Sequence, residues 1–398
     1  MSGPSDNLTA LLALRDSLNA SIDALSSLTP EERSQAPKVN PVRQQIWSTA
    51  TRIVSETANP MQESTRIAFM PWLNAVVRTA LELDLFNLLG QSTTASELAQ
   101  KTGADVTLIV RIMRVLTGFH IVSELGEETY AATPVSRALT MPATADLNKH
   151  IFDSSWGCIG KMPAYLAKLG YKNPEEPDNT LSHYATGTDF FAYLRNDPAR
   201  LARFNSAMKG AATLVASPVP SSLLEPGAAD GNGVVMVDVG GGHGQVTQKV
   251  MEENPHLKGR FVVQDLGAII EEARARNPEY EVMEYDFFTP QPIRGARIYF
   301  MRRVLHDFPD SKCREILRNQ IQGMVKGHSK LLVCETVLPA VGCSGFESLA
   351  DISRTTFCSM QRSAKQWTAL LASVGLKIVQ IWPAKGVGSF AVIESELE

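Results

Sequence analysis

The sequence predicts a carboxy-terminal doubly wound, Rossmann-like α/β domain behind an amino-terminal part made only of helices and a winged helix. Three observations predict it. Apolar residues recur at helical spacing through the first third of the chain, a helix is followed by two short strand-like pieces around Gly126, and beyond residue 233 short apolar runs alternate with helical stretches. At 398 residues the chain exceeds one ordinary core and fits two domains, or one domain with a helical extension.

Taken in order, Leu11, Leu14, Leu18, Ile22 and Leu25 mark an amphipathic helix between Asn7 and Ser27. Pro30 and Pro37 are expected to interrupt before a second helix over Val42 to Glu56. After Asn59-Pro60 a long apolar helix is expected to run through Phe69 to Leu89, then a helix capped by Thr93 or Thr94. Asp105 to Leu116 is helical, and Ile121 to Leu125 with Tyr130 to Ala132 form the wing. Pro142 to Gly227 is expected to be loop-rich, with helices over Lys161–Leu169, Asp189–Leu194 and Pro198–Met208. Pro218 to Gly233, dense in Pro, Gly, Ser and Asp, is expected as a linker. The buried strands of the α/β sheet then follow at Val234–Val239, Phe261–Val263, Val282–Tyr285, Ala296–Met301, Leu331–Cys334, Ile378–Ile381 and Ser389–Ile393. The expected divisions are 1–140, helical arms with the winged helix; 141–227, a helical substrate-lining segment and linker; and 228–398, the α/β domain.

Composition narrows the function. An apolar fraction of 44% with 20% charged residues is globular, and no apolar run is long enough to cross a bilayer. A formal charge of −4 supplies no broad basic face for phosphates, which argues against nucleic acid. The five cysteines are irregularly spaced and form neither a disulfide framework nor a metal pattern, so no metal is expected. The start has no basic patch leading into an apolar stretch, and a cytoplasmic setting is expected.

Asp238-Val239-Gly240-Gly241-Gly242-His243-Gly244 sits where the first strand of the sheet turns into a helix. Glycines there let backbone pass close under a ligand. A pyrophosphate fingerprint, counted on from Gly240 and Gly242, would need glycine where Gln245 stands, and the acidic Asp238 would repel phosphate. That acid suits an ammonium instead, which points to S-adenosylmethionine. About twenty residues on, Asp265 stands where such folds grip ribose hydroxyls, with Leu266 beside it. Asp286 and Phe287 follow the third strand, in position to accept from an adenine amino group and cover its face.

With these motifs in order, and with Phe69-Met70-Pro71-Trp72-Leu73-Asn74, Arg303-Val304-Leu305-His306-Asp307-Phe308-Pro309-Asp310 and Cys334-Glu335-Thr336-Val337-Leu338-Pro339, the chain resembles the plant and fungal small-molecule O-methyltransferases of the caffeic acid type. The likeness runs from Phe69 to Leu376. It implies a homodimer joined through amino-terminal helices, a winged helix serving dimerisation rather than DNA, and S-adenosylmethionine held by the α/β domain. It also implies an adenine contact from Arg302, where the family often has Lys, and a small-molecule acceptor with no nucleic acid or membrane partner.

Methyl transfer needs an oxygen nucleophile, and a neutral hydroxyl is a poor one. An imidazole takes its proton near neutrality, so His306, after the fourth strand, is the expected general base. Glu335, ending the neighbouring strand, is expected to orient it, with Asp307 beside it. Trp156, Phe190, Phe191 and Met208 are the candidates to wall the acceptor pocket, with core packing the first reading for Phe190 and Phe191, and Arg354 and Gln361 stand on the acceptor side. Two departures stand out from the family pattern: Gln361 replaces a glutamate that flanks the base, and Arg354 replaces apolar wall. A neutral amide cannot stabilise imidazolium by charge. The alternative expectation is therefore a non-methylating enzyme on the same fold, a pericyclase or dehydratase that retains the cofactor. A winged-helix DNA-binding regulator is a third reading, and the charge disfavours it.

Overall fold

The computed structural model describes residues 4–34, 36–211, 217–224, 233–276, 278–384 and 390–398. Contacts divide the chain into two compact units, Met1–Trp156 with Leu194–Ala212 and Gly157–Tyr193 with Thr213–Glu398.

In the first unit, helices cover Pro4–Ser27, Pro30–Ser34 and Ala36–Thr57. The prolines begin helices rather than interrupting them. Thr29 Oγ1 accepts from Glu32 N at 3.2 Å while Glu32 accepts from Thr29 N at 3.1 Å, so Pro30 takes the first helical position, where its missing N–H costs nothing. Pro37 likewise lies in the first turn of the third helix. The next helix spans Pro60–Glu82 and ends earlier than expected. Asn59 Oδ1 caps its start, and at its end Asp84 turns left-handed with φ +54° before a short helix, Leu85–Leu88. Thr94 and Glu97 form a reciprocal capping box for Ala95–Thr102, and Asp105 caps Val106–Gly118. Strands β1 (Thr93–Thr94), β2 (Val122–Gly126) and β3 (Thr129–Ala132) complete the winged helix in the order β1-β3-β2. Its core gathers Leu85, Leu98, Ile109, Met113, Leu116 and Tyr130, all fully buried.

The stretch expected to be loop-rich is largely helical. A single helix runs from Pro142 to Lys168, passing Pro163, and shorter ones cover Leu181–Thr186, Phe190–Arg195 and Pro198–Ala211. Cys158 and Tyr165, a helical seven apart, bury against Leu181. The expected linker also packs in part. Ser221–Leu224 is helical and Val219 and Leu224 are core residues, while 225–232 lie outside the described residues.

The second unit is built on strands β4 (Val234–Val239), β5 (Arg260–Asp265), β6 (Glu281–Glu284), β7 (Ile298–Arg302) and β8 (Lys330–Glu335), a small parallel pair β9 (Val337–Leu338) and β10 (Arg362–Ser363), then β11 (Leu376–Trp382) and β12 (Ala391–Leu397). The sheet order is β11-β12-β8-β7-β4-β5-β6. Strands β4 to β8 are mutually parallel, and β12 and β11 add an antiparallel edge. The last strand runs later than expected, and Ser389 lies outside the described residues. The order reverses between β4 and β7, so a crevice opens at the carboxyl ends of these strands, where such sheets place their ligands. Among the described residues no helix is long and apolar enough to cross a membrane.

Candidate active site

The end of β4 is shaped by its own side chain. Asp238 is 1% exposed, and its carboxylate accepts from Thr247 Oγ1 at 2.9 Å. A Cβ on Gly241 would come within 2.6 Å of its Cγ, so Asp238 packs directly under the turn. Burial raises its carboxyl to about 7, against the opposing pull of the Thr247 hydroxyl. Its carboxyl thus supports the loop from below. Gly240 and Gly242 have φ of +68° and +60°, and a Cβ on Gly240 would meet Val304 at 2.9 Å. Both glycines are required by conformation, and Gly240 by space as well.

Asp265, ending β5, is fixed by the loop it faces. Gly242 N–H donates to its Oδ2 at 2.9 Å and Leu266 N–H to its Oδ1 at 2.8 Å. One lone pair on each oxygen remains, enough for a pair of vicinal hydroxyls. Asp286 is exposed and accepts from Phe288 N at 2.9 Å in a local turn. Phe287 is partly buried against the core, edge-on to Phe308 at 5.8 Å, and 3.9 Å from the Cβ position of Gly240. Leu266 is exposed, and the Arg302 guanidinium lies over Phe390 at 5.4 Å. A glycine turn backed by the buried Asp238 and bonded to Asp265 presents carboxyl groups and is poor for a pyrophosphate.

The second cluster follows β7. Arg303 turns left-handed with φ +57° and sends the chain into the short helical turn Leu305–Asp307. His306 is 3% exposed, and its Nδ1 lies 2.6 Å from Oε2 of Glu335, which is fully buried. Glu335 Oε1 also accepts from His306 N at 3.3 Å. With Nδ1 donating to the carboxylate, Nε2 is the basic nitrogen. Asp307 Oδ1 stands 3.3 Å from Nε2 and also accepts from Arg354 Nη1 at 2.9 Å. Gln361 is 5% exposed; with its carboxamide oxygen turned to the guanidinium, the orientation that satisfies both ends, it accepts from Arg354 Nε at 2.9 Å and Nη2 at 3.3 Å. One chain of contacts thus runs Glu335, His306, Asp307, Arg354, Gln361.

Two supporting residues escaped the sequence reading. Ser359 donates to the His306 carbonyl. Arg362, fully buried, donates to the Leu305 carbonyl at 3.1 Å, the Phe308 carbonyl at 3.0 Å and Asp310 at 2.9 Å, pinning the turn that carries His306. The signal was its place directly after Gln361. Trp156 and Met208 belong to the first unit, where Trp156 stacks on Phe152 at 5.0 Å.

Comparison with known proteins decides the family. The sequence model of the O-methyltransferase domain matches residues 169–377, and that of the O-methyltransferase dimerisation domain matches residues 65–142. The chain belongs to the O-methyltransferase family. It is 32% identical over 368 residues to the O-methyltransferase mfmE of Annulohypoxylon moriforme, covering 88% of this chain and 89% of that one. The structure of OxaC in complex with SAH and oxaline superposes with a TM-score of 0.81 at 27% identity, covering 98% of this chain and all of that one. A structure described as a pericyclic reaction enzyme superposes equally well, TM-score 0.81 at 25% identity over 98% of this chain and all of that one. This O-methyltransferase is an enzyme whose cofactor is S-adenosylmethionine. The winged helix falls within the stretch that matches the dimerisation domain.

Proposed function

We propose that the enzyme methylates a phenolic or enolic hydroxyl of a small secondary metabolite, with His306 as general base. The observation that carries this reading is the buried 2.6 Å contact between His306 Nδ1 and Glu335, which leaves Nε2 as proton acceptor. Asp307 opposes a lone pair on Nε2 but attracts an Nε2–H, so its carboxylate stabilises the imidazolium once the hydroxyl proton has arrived. Asp265 holds the ribose hydroxyls, Asp286 and Phe287 take the adenine edge and face, and the turn at Gly240 and Gly242 lets the cofactor lie against backbone. Bound there, S-adenosylmethionine supplies an electrophilic methyl group. The family's small-molecule acceptors and the fungal relatives support the substrate class. The match of residues 65–142 to a dimerisation domain supports a homodimer.

A second reading, a non-methylating pericyclase or dehydratase, is favoured by the neutral Gln361 beside the cationic Arg354 and by the structural likeness to a pericyclic reaction enzyme. One experiment separates them. The enzyme is incubated with S-adenosylmethionine carrying a deuterated methyl and a metabolite extract, and product and S-adenosylhomocysteine are quantified by mass spectrometry. Methylation gives a labelled product and one equivalent of S-adenosylhomocysteine, and His306→Ala lowers the rate by about 10²–10⁴-fold. Product without stoichiometric S-adenosylhomocysteine ends the methyl-transfer reading.

A further inference from the structure

The guanidinium of Arg354 is mostly enclosed, 16% exposed, and its contacts are asymmetric. Nη1 donates to Asp307 Oδ1 at 2.9 Å and to the His306 carbonyl at 3.4 Å. Nε and Nη2 both converge on one neutral oxygen of Gln361. Four of its five N–H groups are thereby engaged among the described residues, and one on Nη2 is left over. Asp307 is the carboxylate with which it pairs, and that same Oδ1 also faces His306 Nε2. Cation and base thus meet on one oxygen.

A cluster of aromatic rings, tilted to one another, adjoins them. The Arg354 guanidinium lies 5.9 Å from the centre of the Phe357 ring. Phe190 stands 5.4 Å from Phe357 and Phe191 stands 6.1 Å from it, and the two are 5.4 Å apart. Such a cluster packs against a planar conjugated ring, while the guanidinium at its edge selects an oxygen bearing negative charge. Asp307 already offsets the charge of Arg354, so a glutamate at position 361 would leave the group net negative, whereas the amide only orients the guanidinium.

Resting on the reading of His306 as the base, we propose that Arg354, oriented by Gln361, selects planar acceptors that carry an anionic oxygen next to the hydroxyl to be methylated. The class is an ortho-hydroxy aryl carboxylate or the enolate oxygen of a conjugated 1,3-dicarbonyl. Arg354 is here a specificity-determining residue: it grips the neighbouring oxygen and so aims the hydroxyl at Nε2.

The test is calorimetry on the full-length enzyme with S-adenosylhomocysteine present, using 1-hydroxy-2-naphthoate and 1-naphthol. The two probes share the ring and the hydroxyl and differ in the ortho carboxylate. The expected result is a preference of about tenfold for the naphthoate. Arg354→Gln should reduce it to less than about twofold, Gln361→Glu should reduce it similarly by leaving the group net negative, and Arg354→Lys should keep part of it. S-adenosylhomocysteine affinity, which depends on the glycine turn and Asp265, checks that each variant is folded. Equal affinity for the two probes, no binding of either, or a preference that survives both Arg354→Gln and Gln361→Glu overturns the proposal. Because the readout is a ratio of affinities, it is independent of turnover. An enzyme that prefers the naphthoate yet never forms S-adenosylhomocysteine sinks the methyl-transfer reading and upholds the anion site.

Discussion

Asp265 accepts one backbone N–H on each carboxylate oxygen, and in the function proposed above the remaining lone pairs hold two ribose hydroxyls. Charge-assisted bonds of that kind contribute about 1.5–3 kcal/mol each. Asp265→Ala should therefore weaken S-adenosylmethionine binding by at least about thirtyfold in calorimetry; unchanged affinity would remove this residue from the site. Asp238 makes a pH prediction. Its carboxyl is raised from 3.8 to about 7 by burial, so the folded chain favours the protonated form. The stability it contributes is full below about pH 4 and is lost as pH rises through 7. The melting temperature of the ligand-free protein should fall between pH 5 and pH 8 by more in the parent than in Asp238→Asn, whose amide oxygen still accepts from Thr247. Parallel curves for the two proteins would refute the assignment. At this scale the sequence was legible wherever a motif tied residue type to position: His306, Glu335 and Asp307 do come together. The contacts of Asp238 with Thr247 and the underside of Gly241 were hidden, because an acid at a strand end reads alike whatever it packs against. The grip of Arg354 on Asp307 was hidden too, since 47 residues separate the pair.

The glycine loop is held from outside by Tyr280, whose hydroxyl donates to the His243 carbonyl at 2.6 Å, and whose ring lies against the Cα of Gly244. Gly244 has φ +76°, and a Cβ there would fall within 2.6 Å of Tyr280 Cε2. Gly244→Ala combines a left-handed alanine with a steric overlap and should destabilise the enzyme by about 2–4 kcal/mol in urea unfolding. In a Tyr280→Ala background the overlap disappears and the loss should shrink to the backbone share. An equal loss in both backgrounds would show that the ring is not what excludes the side chain. Elements were legible where capping and periodicity agreed, as at Thr94 and Asp105. They were misjudged around proline and polar residues. Pro30 and Pro37 read as breakers yet open helices, and Pro163 sits inside a helix that buries Cys158 and Tyr165. Proline is disruptive in a helix interior and harmless in its first turn, and composition does not say which of the two applies.

At the scale of the molecule, alternation of strands and helices announced the parallel sheet, but not its order, because pairing of β4 with both β5 and β7 depends on contacts far apart in sequence. The amino-terminal helices carry the remaining question. Trp47, Met61, Phe69 and Trp72 are each more than half exposed on the single chain, as are Val54 and Ile67. Large side chains rarely stay in water in such number along neighbouring helices of a monomer, and burying each one removes about 1.5–3 kcal/mol of unfavourable hydration. The chain also matches a dimerisation domain from residue 65 onward, so the occupant expected on this surface is a second copy. Light scattering at micromolar concentration should give about twice the 43.4 kDa of one chain. Replacing Phe69 and Trp72 together by Lys puts charge on the apolar face and should shift the protein to monomer, while the isolated Asp265 site continues to bind S-adenosylhomocysteine. A parent enzyme that is monomeric and monodisperse, or a double variant that remains a dimer, would show that these helices do not form the interface.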